Sequence, residues 1–167
     1  MLSSNDGWWN YWNDWNFDNS LKNGLNNLYG TKYILWKYEN SLREKAGKEL
    51  LRYTDIKDYQ VEHIAPQTER QGDNTGYPKY DENFTWEDRN SFGNLMLLSS
   101  KTNERIQNNP LIKKIEEYRN EGEKSLLQQK EVIDIATQKQ EYFWGKDEIT
   151  KRTEEIIAFI KETFKLN

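Results

Sequence analysis

Val61-Glu62-His63-Ile64-Ala65-Pro66-Gln67 is one of two stretches whose reading decides the fold. The other is Phe92-Gly93-Asn94-Leu95-Met96-Leu97-Leu98-Ser99-Ser100-Lys101-Thr102-Asn103-Glu104-Arg105. Tyr59 to Ile64 reads as a short strand. Leu95 to Leu98 is a continuous apolar run of strand length and a buried strand candidate. Ser99 and Ser100 are good helix N-caps, so a helix should open there and carry Asn103 on its first turn. Strand, strand and helix therefore form the predicted centre.

Around this centre the pattern is helical. Lys32 to Lys48 predicts a helix with Ile34, Leu35, Tyr38 and Leu42 on its apolar face and Gly47 near its end. From Leu111 onward, Leu126, Leu127, Val132, Ile133 and Ile135 form one apolar set. Ile149, Ile156, Ile157, Ile160 and Phe164 form another, with charges opposite. Pro110 ends the Asn103 helix or begins the next. Trp8, Tyr11, Trp12 and Trp15 stand at helical spacing, which reads first as a stripe docked into the core and second as a base-stacking or docking surface. Pro66 to Asn90 is polar and broken by Gly72, Gly76 and Pro78, with Phe84 and Trp86 as partial anchors; loops this long are often functional. The fold class expected is α+β, mostly helical. It comprises a single domain over 1–167, with an aromatic segment at 1–30, a core at 59–108 and C-terminal helices at 111–167.

Composition narrows the chemistry. The 167 residues suffice for one core. With no cysteine, disulfides and thiolate metal sites are excluded, so any metal takes oxygen and nitrogen ligands. There is no apolar run of membrane-spanning length and no signal pattern, so no membrane partner and a cytoplasmic location are expected. The opening Met1-Leu2-Ser3-Ser4 has no cap or strand pattern and is compatible with a piece of a longer protein. The net charge of −4 argues weakly against a nucleic-acid partner. The stretch 101–119, however, concentrates Lys101, Arg105, Lys113, Lys114 and Arg119, which leaves room for a local basic face.

His63 is the only histidine in the chain. A neutral imidazole is a suitable base for water at pH 7. Beside it, Glu62 and the later Asn103 offer hard oxygen donors of the kind Mg²⁺ accepts together with waters and a substrate phosphate. Neighbouring residues on a strand point to opposite faces, so Glu62 and His63 can share a site only where the strand ends. Asn94, on the paired strand, would hold His63 in the right tautomer. The set suits hydrolysis of a phosphodiester. Asn94 after Gly93 also reads as a turn residue, and Asn103 as a surface residue of a first helical turn.

Glu62-His63-Ile64-x-Pro66-Gln67, followed by Asn94 and Asn103, resembles the HNH (ββα-metal, His-Me finger) nuclease motif. The longer pattern is similar to the C-terminal nuclease domain of GmrSD-type, modification-dependent restriction enzymes. It takes in Tyr33-Ile34-Leu35-Trp36-Lys37-Tyr38-Glu39, Phe92 to Leu98, Trp144 and Ile149-x-x-Arg152. The resemblance implies a ββα-metal hairpin–helix core embedded in N- and C-terminal helices. It implies that His63 is the general base, that Glu62 and Asn103 bind Mg²⁺ or Mn²⁺, and that Asn94 supports the site. Products would carry a 5′-phosphate and a 3′-hydroxyl. Glu62 departs from the more common Asp, and Asn103 stands where many such domains have histidine, which favours a hard metal over zinc.

The implied partner is DNA, double-stranded and with modified bases a target, cut within a type IV-like anti-phage restriction system. The family's ParB-like nucleotide-binding domain is absent from this chain. Lys101 and Arg105 are candidates for phosphate contact, and as readily solvated charges. Arg152 matches a family position for nucleic-acid contact and reads equally as an ordinary exposed helix arginine. One such site cuts one strand, which leaves a homodimer open. The alternatives from the residues are a non-catalytic interaction module on the same fold, and an RNase or toxin with the same site.

Overall fold

The computed structural model describes residues 28–138 and 142–164. The Trp8–Trp15 stripe lies outside them. Eight regular elements follow one another. Helix α1 spans Leu28–Lys45, strand β1 Tyr59–His63, helix α2 Trp86–Asn90 and strand β2 Leu95–Ser99. Helices α3 (Ser100–Ile106), α4 (Leu111–Arg119), α5 (Leu127–Ala136) and α6 (Lys146–Phe164) follow among the described residues. The class is α+β and mostly helical, as the apolar spacing predicts.

The two strands pair antiparallel, with Tyr59 opposite Ser99, Glu62 opposite Met96 and His63 opposite Leu95. They are joined through the long 64–94 segment. Every residue of β2 is buried. Its alternation divides the interior in two. Met96 and Leu98 enter one apolar cluster with Ile106, Ile115, Tyr118 and Trp144. Leu95 and Leu97 enter the other, with Leu35, Ile56, Phe92 and Ile156. A strand covered on both faces needs an unbroken apolar run, which is what Leu95–Leu98 supplies.

The helix ends follow local rules. Ser99 caps α3, its side chain accepting from Thr102 N. Pro110 precedes α4 rather than ending α3. The N-terminus of α5 is capped from α1, because Glu39, fully buried, accepts from Leu127 N at 3.0 Å and from Gln128 N at 3.1 Å. A carboxylate there meets unpaired amides and the positive end of the helix.

Helix α2 was not expected within the polar 66–90 stretch. Thr85 caps it, and the Thr85–Asp88 capping box closes its first turn. Phe84 is buried and anchors the segment as expected, whereas Trp86 is 52% exposed and does not.

Candidate active site

His63 ends β1, and the chain turns immediately after it. Asn94 secures that turn. Its side chain is fully buried. Oδ1 accepts from Ala65 N at 2.8 Å and from the Trp144 indole at 3.1 Å. Nδ2 donates to the carbonyls of Ala65 at 2.8 Å and Arg89 at 2.7 Å. Four bonds exhaust the amide's capacity. Asn94 therefore holds the backbone just beyond His63, and the expected contact to the imidazole is made by another residue.

That residue is Asn90, which the sequence reading missed. Its Oδ1 lies 3.1 Å from His63 Nε2 and accepts from Gln67 Nε2 at 3.2 Å, while its Nδ2 donates to the Trp86 carbonyl at 2.8 Å. The amide orientation is thus fixed by its neighbours. An oxygen facing Nε2 requires the proton there, so Nδ1 keeps its lone pair. Burial, followed by the positive charge of Lys114, lowers the His63 pKa, and the Asn90 bond opposes this. The imidazole is held neutral at pH 7.

Arg152 is corrected by the structure. It is fully buried and clamps the 92–95 turn. Its guanidinium donates to the carbonyls of Gly93 at 2.9 Å and Leu95 at 2.7 Å, and to Glu131 at 2.7 Å. It cannot reach a nucleic acid from there, because the side chain is fully buried, with Nη1 on the backbone that carries Asn94 and Nε on Glu131. Gly93 fits the same clamp. A Cβ on it would lie 1.9 Å from the Ile149 carbonyl oxygen. Trp144, Ile149 and Arg152 thus converge on one turn, which accounts physically for their appearing together.

Glu62 points into the core on the Met96 side of the sheet and is 6% exposed. Lys114 and Tyr118, four residues apart on one face of α4, meet it there. Lys114 Nζ is 2.5 Å from Glu62 Oε1, and the Tyr118 hydroxyl is 3.3 Å from the same oxygen. The ammonium also donates to the carbonyls of His63 at 2.8 Å and Ile64 at 3.1 Å. Burial pushes the Glu62 carboxyl up and the Lys114 amine down, and the pair's mutual attraction opposes both shifts. Sequence reasoning counted Lys114 only as part of a basic stretch. The signal for its true place was its position on the apolar face shared by Leu111, Ile115 and Tyr118.

Glu62, His63 and Asn103 line one groove of about 480 Å³, with Gln60, Gln67 and Gln107. Asn103 Nδ2 donates to Gln60 Oε1 at 2.8 Å, so its Oδ1 takes no part in that bond. Among the described residues, no group of three or more His, Cys, Asp or Glu side chains could hold a metal ion. The donors available at the groove are one carboxylate and neutral amides. The Lys114 and Tyr118 bonds both fall on Oε1, and the His63 backbone also bonds the carboxylate. A carboxylate oxygen and an amide oxygen suit a hard cation that keeps several waters and takes a phosphate.

Of the expected phosphate contacts, Lys101 is exposed on α3, and Arg105 pairs with Glu117 at 2.6 Å. Both lie outside the groove lining. No described helix is long and apolar enough to cross a membrane.

A family model described as the C-terminal domain of GmrSD restriction endonucleases matches residues 9–159. No curated protein and no solved structure matches the chain.

Proposed function

Because the chain belongs to the family of GmrSD restriction endonuclease C-terminal domains, we propose that it is an HNH-type, metal-dependent endonuclease domain that hydrolyses DNA phosphodiester bonds. The observation that carries this reading is a groove in which a tautomer-fixed imidazole stands with Asn103 and Glu62. His63 Nδ1 takes the proton of the attacking water, and Asn90 holds the ring so that this nitrogen faces away from Nε2–H. Lys114 and Asn94 fix the backbone at residues 63–65 on which the ring is mounted.

Glu62 and Asn103 would hold Mg²⁺ or Mn²⁺. When bound, such an ion neutralises charge on the phosphate and the leaving oxygen. The role belongs to a modification-dependent, type IV-like defence against phage, in the cytoplasm. Choice of target rests with a ParB-like domain outside this chain, and double-strand cleavage with two copies or two events.

Supercoiled plasmid incubated with the protein and Mg²⁺ or Mn²⁺ tests the reading. Nicking that stops with chelator and falls strongly in Asn103→Ala supports it. Nicking indifferent to chelator removes the metal. A second reading, a non-catalytic module on the same fold, is favoured by the engagement of Glu62 with Lys114. Divalent-ion binding by calorimetry that disappears in Asn103→Ala sinks that alternative. Preference for matched RNA over duplex DNA would move the activity to an RNase.

A further inference from the structure

Trp86 is the most exposed large apolar side chain among the described residues, at 52%. The exposed Tyr33 and Tyr53 pack against each other and against Trp36. No ring or cation among the described residues stacks on Trp86. Its setting is rigid. Phe84 is buried two residues earlier, the Thr85–Asp88 box caps the helix, and Arg89 donates to the carbonyls of Thr85 at 3.0 Å and Gln67 at 2.6 Å. Arg89 also lies 4.3 Å over the Tyr80 ring. A well-fixed helix therefore presents a bare indole.

The location of that indole is informative. Trp86 and Asn90 are four residues apart and share one face of α2. Asn90 bonds back to the Trp86 carbonyl at 2.8 Å and touches His63 Nε2 at 3.1 Å. The indole thus stands one helical turn from the residue that orients the base, on the order of 10 Å from the imidazole. Asn103 of α3 and Gln107, just past its end, line the groove, as does Gln67, which is bonded to Asn90. Helix α2 lies outside the groove lining, and a strand with its phosphate over His63 that continued past Gln67 would reach it. At roughly 3.4 Å of axis per nucleotide, the indole falls within the next two or three nucleotides.

We propose that Trp86 is a base-stacking residue of the substrate groove, and that the substrate carries an unstacked nucleotide beside the cleaved bond. This rests on the nuclease reading and specifies its substrate. In an intact duplex, each base already stacks on both neighbours, so an external indole gains a face only when a nucleotide opens. Opening costs least at a mismatch, a bulge or a single-stranded junction. Stacking on an indole accepts any base, so the contact selects for an open structure over a particular sequence.

The test uses short duplexes with one unpaired 2-aminopurine walked along the strand, and protein carrying His63→Ala so that the substrate survives. With Trp86 present, fluorescence at one or two positions should be quenched on binding. Adding Trp86→Ala should abolish the quench and weaken binding about tenfold, whereas Trp86→Phe should retain most of both. Fully paired duplex should bind more weakly and lose less in Trp86→Ala. Unchanged affinity and quench in Trp86→Ala overturn the proposal. In that case, plasmid cleavage by wild type that disappears in His63→Ala still leaves the nuclease reading standing. If no nucleic acid is bound or cut at all, both fall. Circular dichroism of Trp86→Ala and Trp86→Phe separates lost stacking from lost folding.

Discussion

Lys114→Met removes the cation that Glu62 faces in the interior and nothing of comparable size. Glu62 is 6% exposed and Lys114 fully buried, at 2.5 Å. Deleting one partner of such a pair leaves an uncompensated buried charge, which costs about 3–5 kcal/mol. Total stability for a domain is of the order of 5–15 kcal/mol, so the loss should be plain in urea unfolding as a lower midpoint at constant slope. The pH dependence distinguishes this cause from a simple cavity. Burial already raises the Glu62 pKa above 4.5, and removing Lys114 takes away the attraction that opposes the rise. A carboxyl raised in the folded state adds relative stability below its unfolded pKa and loses it as pH rises through the folded pKa. The deficit against wild type should therefore be small near pH 4.5 and full at pH 8. Glu62→Leu combined with Lys114→Met removes the charge as well and should recover much of the loss at pH 8. A single-variant deficit under about 1 kcal/mol at pH 8, or one that does not shrink in acid, refutes the ion-pair account.

Other consequences follow from the same geometry. Asn94→Ala strips partners from Ala65, Arg89 and Trp144 in the interior and should cost about 3–5 kcal/mol in urea unfolding, since each buried group left unpaired costs about 1–3 kcal/mol. The His63 pKa is lowered by burial and by Lys114, so kcat/KM should rise with pH to a plateau, with its midpoint below 6.5. Asn90→Leu removes the bond that opposes this lowering and frees the ring, so kcat should fall, with the midpoint moved further into acid. Arg152→Met should lower the urea midpoint strongly while leaving the salt dependence of DNA affinity as in wild type, because Arg152 is fully buried and bonded to Glu131 and the 92–95 backbone.

The parts of this molecule legible in the sequence are those set by local rules. The run Leu95–Leu98 reads as a buried strand and Ser99 or Ser100 as a cap for the next helix; the strand is buried on both faces and Ser99 is the cap. The groove residues Glu62, His63 and Asn103 were visible as chemistry, and the structure brings all three to one groove. What escaped was set by tertiary contact. Asn90 orients the imidazole from a five-residue helix hidden in a polar stretch, although Thr85-x-x-Asp88 was a readable capping signal. Asn94 was assigned to the ring because its type suits that task, yet its position one residue before β2 aims it at the backbone of Ala65. Arg152 looked solvent-bound because helix arginines usually are. Its place one turn after the buried Ile149, on the inner face of α6, decides otherwise.

The central claim is that His63 is the base of a phosphodiester hydrolysis. Single-turnover cleavage of end-labelled duplex DNA with Mg²⁺ or Mn²⁺, wild type against His63→Ala, measures it directly. The account predicts a rate lower by about 10²–10⁴-fold in the variant, with folding intact by circular dichroism. Equal rates for the two proteins would contradict it.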